Sequence, residues 1–167
     1  KRYLNSGLEL RMLKPWHIDE VMYVERKSFP REIRQDRDDI LQTLRFRKSI
    51  GVLATKRLPV GYALGAPIEF YGDGDATVAL NEFGIDDEHY GENDTFYLES
   101  IAVVPEERRK GVGSSMLEKM LSLVKEKGYK RFTGHAYPTG WRLVQKAGAR
   151  KLEEIKDFYF DGSPAIY

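Results

Sequence analysis

Apolar residues change their spacing several times along this chain, and each change marks an element. Leu8, Leu10 and Met12 alternate with Glu9 and Arg11, the period of a strand with one apolar face. Pro15 suits the first turn of a helix, and Ile18, Val21, Met22 and Phe29 follow at helical spacing until Ser28-Phe29-Pro30 breaks it. A second helix is predicted from about Asp36 to Phe46. Ile40, Leu41 and Leu44 are its buried stripe, and Arg37, Arg45 and Arg47 lie on a solvated side. Residues 50–55 and 60–68 read as a hairpin around Lys56-Arg57-Leu58-Pro59. Residues 70–94 form a long acidic connection with a strand extension at 76–80, and loops of that length are usually functional or mobile. Residues 95–104 are a near-continuous β-branched and apolar run, the mark of a strand buried on both faces. A helix over 113–127 then places Met116, Leu117, Met120, Leu121 and Val124 on one side, and Gly128 stops it. A strand over 131–136, a short helix over 141–146 stopped by Gly148, and a hairpin of 151–160 with 165–167 complete the order. The last strand has barely begun where the sequence stops, so it is expected to be truncated. The order predicts one α/β (α+β) domain.

Composition narrows the class. With 167 residues, 41% hydrophobic and 32% charged, the chain can bury one core, which argues against a disordered tail or a membrane protein. Its longest uncharged stretch, 58–68, falls well short of the ~20 residues of a membrane-crossing helix. No basic-then-apolar leader opens it, so a signal peptide is not expected and a cytoplasmic location is the default. Cysteine is absent, which removes disulfides, thiolate nucleophiles and cysteine metal sites. The net charge of +1 conceals a segregation. Residues 1–57 carry a balance of +6, residues 58–107 carry −12 with no Lys or Arg, and residues 108–167 carry +7. Such asymmetry suits two partners of opposite sign, and an acidic loop with no partner is the plainer alternative.

The chemistry concentrates in Leu98-Glu99-Ser100-Ile101-Ala102-Val103-Val104-Pro105-Glu106-Glu107-Arg108-Arg109-Lys110-Gly111-Val112-Gly113. It is a buried strand, a proline-bounded turn, three cations, two glycines and a helix start. Amides at a helix N-terminus, with the helix dipole behind them, bind phosphate-like anions. Arg108, Arg109 and Lys110 add charge there, Ser114 adds a hydroxyl, and Gly111 and Gly113 let an anion approach the backbone. The dinucleotide pattern G-x-G-x-x-G fails at Met116, and the P-loop pattern is absent. The segment resembles the central motif of the GCN5-related N-acetyltransferase superfamily, [QR]-x-x-G-x-[GA] after a strand ending in V-x-P. Arg108-Arg109-Lys110-Gly111-Val112-Gly113 satisfies every defined position, and Gln145-Lys146-Ala147-Gly148-Ala149 is similar to that family's later helix end.

The resemblance implies the acyl-CoA N-acyltransferase fold, a mixed, mostly antiparallel central sheet flanked by helices, with acetyl-CoA as co-substrate. Its diphosphate would rest on the amides of Arg109, Lys110, Gly111, Val112, Gly113 and Ser114, beside Arg108. Its pantetheine arm would pair strand-like with Ile101, Ala102 and Val103, and an amide near Ile101 would face the thioester carbonyl, where negative charge develops. The acceptor amine must lose a proton, and a lysine-like amine has a pKa of about 10.4 in water, so a base is required. Glu99 is the first candidate, because a carboxylate inside an apolar strand is costly unless it has a use; pairing with a neighbouring strand is the alternative. His135, at the end of the following strand, is the second. The family's thiolate-protonating tyrosine is replaced by Val144, which leaves Tyr137 or Tyr159 as substitutes and the acid unassigned.

Asp73, Asp75, Glu82, Asp86, Asp87, Glu88, Glu92 and Asp94 would form a negative funnel, so the expected acceptor is a cationic amine, small or on a peptide. Metal is not expected, because Asp73-x-Asp75 lacks the other ligands of a calcium loop. Nucleic acid is not expected either, because the arginines of 31–47 interleave with aspartates rather than aromatics. No membrane partner is expected, and a homodimer is compatible with the resemblance. A non-catalytic or regulatory CoA-binding module of a larger protein is the alternative function.

Overall fold

A computed structural model describes residues 7–71, 94–136, 138–150, 154–155 and 165–166. Five strands, β1 (Glu9–Met12), β2 (Ile50–Thr55), β3 (Pro59–Pro67), β4 (Thr95–Val103) and β5 (Arg131–Gly134), form one sheet in sequence order. Neighbours are antiparallel except β4 and β5, which run parallel. That is the mixed, mostly antiparallel sheet expected. Two short strands, β6 (Glu154–Ile155) and β7 (Ala165–Ile166), pair antiparallel in a separate ladder.

Among the described residues four helices flank the sheet: α1 (Ile18–Ser28), α2 (Arg37–Arg45), α3 (Val112–Glu126) and α4 (Pro138–Lys146). A 3-10 turn beginning at Pro15 leads into α1, as proline's fixed φ allows. Asp36 caps α2 by accepting from the Asp38 amide at 2.8 Å, which satisfies one of the helix's orphan donors. Adjacent residues of β3 show which helix covers which face. A Cβ on Gly61 would stand 2.9 Å from Met116 of α3, whereas the next side chain, Tyr62, reaches Glu25 of α1. Successive strand residues point to opposite faces, so α1 and α3 lie on opposite sides of the sheet. On the first side α2 joins α1, and on the second α4 packs on α3, where a Cβ at Gly113 would meet Leu143. Val21, Val24 and Ile40 fill the first layer and Val112, Met116, Met120 and Val124 the second, all at most 3% exposed. Each such side chain contributes ~1.5–3 kcal/mol relative to leaving it in water.

Several differences from the periodicity have physical causes. Of β4, residues 95–98 are buried, while Glu99, Ser100, Ile101 and Val103 are only partly so. The cause is β5, which accompanies β4 from Thr95 to Leu98 and then ends, so β5 is shorter than the expected 131–136. Among the described residues the β4–β5 ladder ends at Leu98 and Gly134, and this end of the ladder is the fork of the sheet. The short helix starts at Pro138 rather than Trp141, since proline is well placed in a first helical turn. In α1 the buried positions are Ile18, Val21, Val24 and Glu25, with Met22 only half-buried, and in α3 Leu121 is half-buried. The expected strand extension at 76–80, the acidic stretch from Asp73 to Glu92, and both Tyr137 and Tyr159 lie outside the described residues.

Candidate active site

Glu99 sits at a register irregularity in β4. Leu64 pairs with Ser100 and Gly65 with Leu98, which leaves Glu99 as the extra residue of a β-bulge. Bulges re-aim side chains, and here Glu99 and Ser100 both turn toward α1 and α2. Glu99 Oε1 accepts a 2.7 Å hydrogen bond from Thr43 Oγ1 of α2. Its other oxygen, Oε2, is buried and has no hydrogen-bond partner among the described residues. The Tyr71 hydroxyl is close enough to act on the carboxylate and is likewise buried with no hydrogen-bond partner among the described residues. Burial pushes the Glu99 pKa up to about 7; the Thr43 and Tyr71 hydroxyls oppose that shift, while Asp39 and Glu25 add to it. The partner expected from a neighbouring strand comes instead from a helix.

His135 follows the last residue of β5, one step beyond the Leu98–Gly134 pair and so beside the bulge. Its Nδ1 shares a 2.6 Å hydrogen bond with the Tyr97 hydroxyl, and burial lowers its pKa to about 4, so it is neutral at pH 7. The Tyr97 ring meets Tyr71 edge-on at 5.0 Å, Tyr71 meets Phe70 at 5.2 Å, and Phe70 stacks on Phe46 at 4.4 Å. An aromatic wall therefore runs from His135 past Glu99 to the end of α2.

Beyond the bulge the free edge of β4 is defined by its ladder. The Val104 amide donates to the Val60 carbonyl at 2.9 Å, so by antiparallel alternation Ala102 and Ser100 also bond toward β3. Ile101 and Val103 then direct their backbone groups into the fork, and Arg108 Nε donates to the Val103 carbonyl from that side at 2.9 Å. Ile101 and Ala102, expected as cofactor contacts, thus differ: one presents its backbone to the fork, the other to β3.

The turn after β4 delivers the helix start. Gly111 is the N-cap of α3 with φ 87°, a left-handed conformation that costs other L-residues ~1–2 kcal/mol, and Arg109 also has positive φ, at 63°. No side chain caps α3, so the amides of its first turn, from Val112 through Ser114, point outward without intrahelical partners. Arg109, Gly111 and Ser114 are exposed around them. Two of the expected cofactor residues have structural duties. Arg108 braces the turn, its Nη2 reaching the Ser28 carbonyl at 3.0 Å, and Lys110 Nζ lies 3.7 Å from Glu107, itself bonded to Lys56 at 2.7 Å. The space beside Gly113 is taken by Leu143, with Cδ2 at 2.9 Å from an added Cβ, so this glycine lets α4 sit close to α3. The uncapped amides and the left-handed Gly111 suit a diphosphate.

These features decide the family. The sequence model of the acetyltransferase (GNAT) family matches residues 18–148. The chain belongs to that family. No curated protein matches the sequence. Among solved structures this family member is similar to the ribosomal-protein-S18-alanine N-acetyltransferase from Escherichia coli, with a TM-score of 0.72 at 14% identity, covering 95% of this chain and 90% of that one. It is also similar to Arabidopsis thaliana NAA60 in complex with acetyl-CoA, with a TM-score of 0.70 at 12% identity and 95% of each chain covered. A third match is the aminoglycoside N-acetyltransferase AAC(6')-Iy in complex with CoA, with a TM-score of 0.65 at 15% identity, covering 89% of this chain and 91% of that one. These likenesses establish a shared fold. No helix among the described residues is long and apolar enough to cross a membrane.

The sequence reading missed Thr43, Tyr71, Tyr97, Tyr62 and Glu25. For Glu25 a signal existed, because it stands on the apolar stripe of α1, four residues after Val21 and four before Phe29. For Tyr71 and Tyr97 there was none, since ten tyrosines dilute any single choice.

Proposed function

We propose that this GNAT acetyltransferase moves an acetyl group from acetyl-CoA to a primary amine of a cationic acceptor by direct attack, with Glu99 as the base. The reading is carried by one observation: a buried carboxylate with one oxygen that has no hydrogen-bond partner among the described residues, set on a bulge where the sheet forks. The amine nitrogen attacks the thioester carbonyl carbon, the C–S bond breaks and the thiolate leaves. The proton released by the amine passes to Glu99 Oε2, directly or through one water. A pKa near 7 suits that task, since a base works best when its pKa lies near the operating pH. His135, with its pKa near 4, is the weaker acceptor and orients Tyr97 instead. The amides from Arg109 to Ser114 hold the diphosphate, Arg108 and Lys110 adding positive charge. The edge at Ile101 and Val103 pairs with the pantetheine arm, and the Ile101 amide faces the carbonyl oxygen as it gains charge. Tyr137 remains a candidate proton donor to the thiolate, beside Tyr159.

The acceptor class follows from charge. The stretch from 58 to 107 is rich in carboxylates and lacks Lys and Arg, which favours cations. Both protein amines and aminoglycosides occur as substrates in the names of similar structures. Measuring CoA release across polyamines, aminoglycosides and peptides tests the reading. Turnover with cationic amines that weakens as salt rises toward 0.3 M is expected, because charges screen beyond ~10 Å at 0.1 M. CoA binding with no release for any amine would instead favour a non-catalytic, CoA-binding role.

A further inference from the structure

Behind Glu99 lies a second carboxylate that the transfer chemistry does not use. Glu25 of α1 is 0% exposed. Its Oε1 accepts from the Tyr62 hydroxyl, which is also hydrogen-bonded to Ser100 Oγ at 3.0 Å. Its Oε2 accepts from the Gln35 amide at 3.0 Å, and the Gln35 side chain reaches the Glu99 carbonyl at 3.4 Å. Both arms of Glu25 therefore end on the bulge, one at Ser100 and the other at Glu99. A buried ionisable group costs several kcal/mol in desolvation, and an apolar residue would pack α1 as well, so stability alone does not account for it.

We propose that Glu25 is a positioning residue for the acceptor side. It ties the connection between α1 and α2 to the bulge, and its charge, when present, opposes the ionisation of Glu99. The proposal rests on the reading of Glu99 as the base. The groups that face Glu99 from the packed elements are Glu25 of α1, Asp39 and Thr43 of α2, Tyr62 of β3 and Tyr71 after it. Arg34, in the connection, acts on Glu25. Burial raises the Glu25 pKa, and the Tyr62 hydroxyl and Gln35 amide that donate to it oppose that rise; when ionised, Glu25 stands as a second carboxylate beside Glu99. Two such charges in a low-dielectric interior oppose each other's ionisation.

The test is a titration of 13C-labelled glutamate side chains followed by NMR, with the Glu99 signal assigned by its loss in Glu99→Gln. In Glu25→Gln the Glu99 midpoint is expected to fall by less than about one pH unit, because burial is the larger cause of its elevation. The acid limb of kcat/KM should move the same way, while CoA affinity by calorimetry stays constant. Tyr62→Phe keeps the carboxylate but removes a donor, so Glu25 holds its proton to higher pH and the Glu99 midpoint falls by a smaller amount. That variant carries the test if Glu25→Gln does not fold. A Glu99 midpoint unchanged or raised in the folded variants overturns the proposal. Should the unsubstituted protein acetylate no amine, the functional reading fails, and the NMR titration still decides the role of Glu25.

Discussion

The two faces of β4 make opposite use of nine consecutive residues. Tyr97, Glu99 and Ser100 turn toward α1 and α2, where they meet His135, Thr43 and Tyr62 through hydrogen bonds. Phe96, Leu98, Ile101 and Val103 turn the other way, where Phe96 packs on Tyr129 and Phe132, and Val103 approaches Gly113. One side spends burial on polar groups and the other on dispersion contacts. The lesson is that a strand reading as uniformly apolar can hold a titratable layer, provided a bulge places two polar neighbours on one side.

The largest effect expected belongs to the polar side. Glu99→Gln should lower kcat by ~10²–10⁴, the usual worth of a general base, while calorimetry shows unchanged CoA affinity. Retention of full turnover would remove the functional meaning of the contrast. At the joint between the faces, Gly111→Asp combines a strained φ with a charge aimed at the anion site. CoA affinity should fall more than about tenfold in a protein that still unfolds cooperatively.

The pH dependence of stability sharpens the contrast further. A carboxyl whose pKa rises to about 7 in the folded state binds more protons folded than unfolded between pH 4.5 and 7. Its contribution is therefore complete below about pH 4.5 and is lost as pH rises through 7, so Glu99→Gln should gain ~2–3 kcal/mol over the parent at pH 8 and little at pH 4.5. His135, lowered from 6.5 to about 4, has the opposite sign: the neutral ring stabilises above pH 6.5 and loses that contribution toward pH 4. Replacing it with Gln should flatten the acid side of a denaturant-midpoint profile. On the apolar side, Gly113→Ala should change stability by less than ~1 kcal/mol by thermal unfolding, because the atoms it meets are the movable end of Leu143 and alanine is the better helix residue.

Much of this arrangement was legible in the sequence, because periodicity reports burial and burial decides elements. The stripe of α3 and the hairpin of β2 and β3 follow directly from spacing, and Glu99 stood out as a charge among apolar neighbours. The bulge did not, since an extra residue is a property of pairing with β3 and leaves no mark on β4 alone. Nor did the fork, which depends on where β5 stops. Glu25 carried the same signal as Glu99, a carboxylate on an apolar stripe, but a helix with polar residues on its other sides hides it better than a strand does.

Two ties join the tail of α1 to the turn after β4: Arg108 grips the Ser28 carbonyl, and Lys27 pairs with Glu106. The segment proposed to cradle a diphosphate is therefore clasped to the helix that leads into the connection between α1 and α2. The helix start after β4 and the end of α1 thus share two direct contacts, which fix their spacing in the fold.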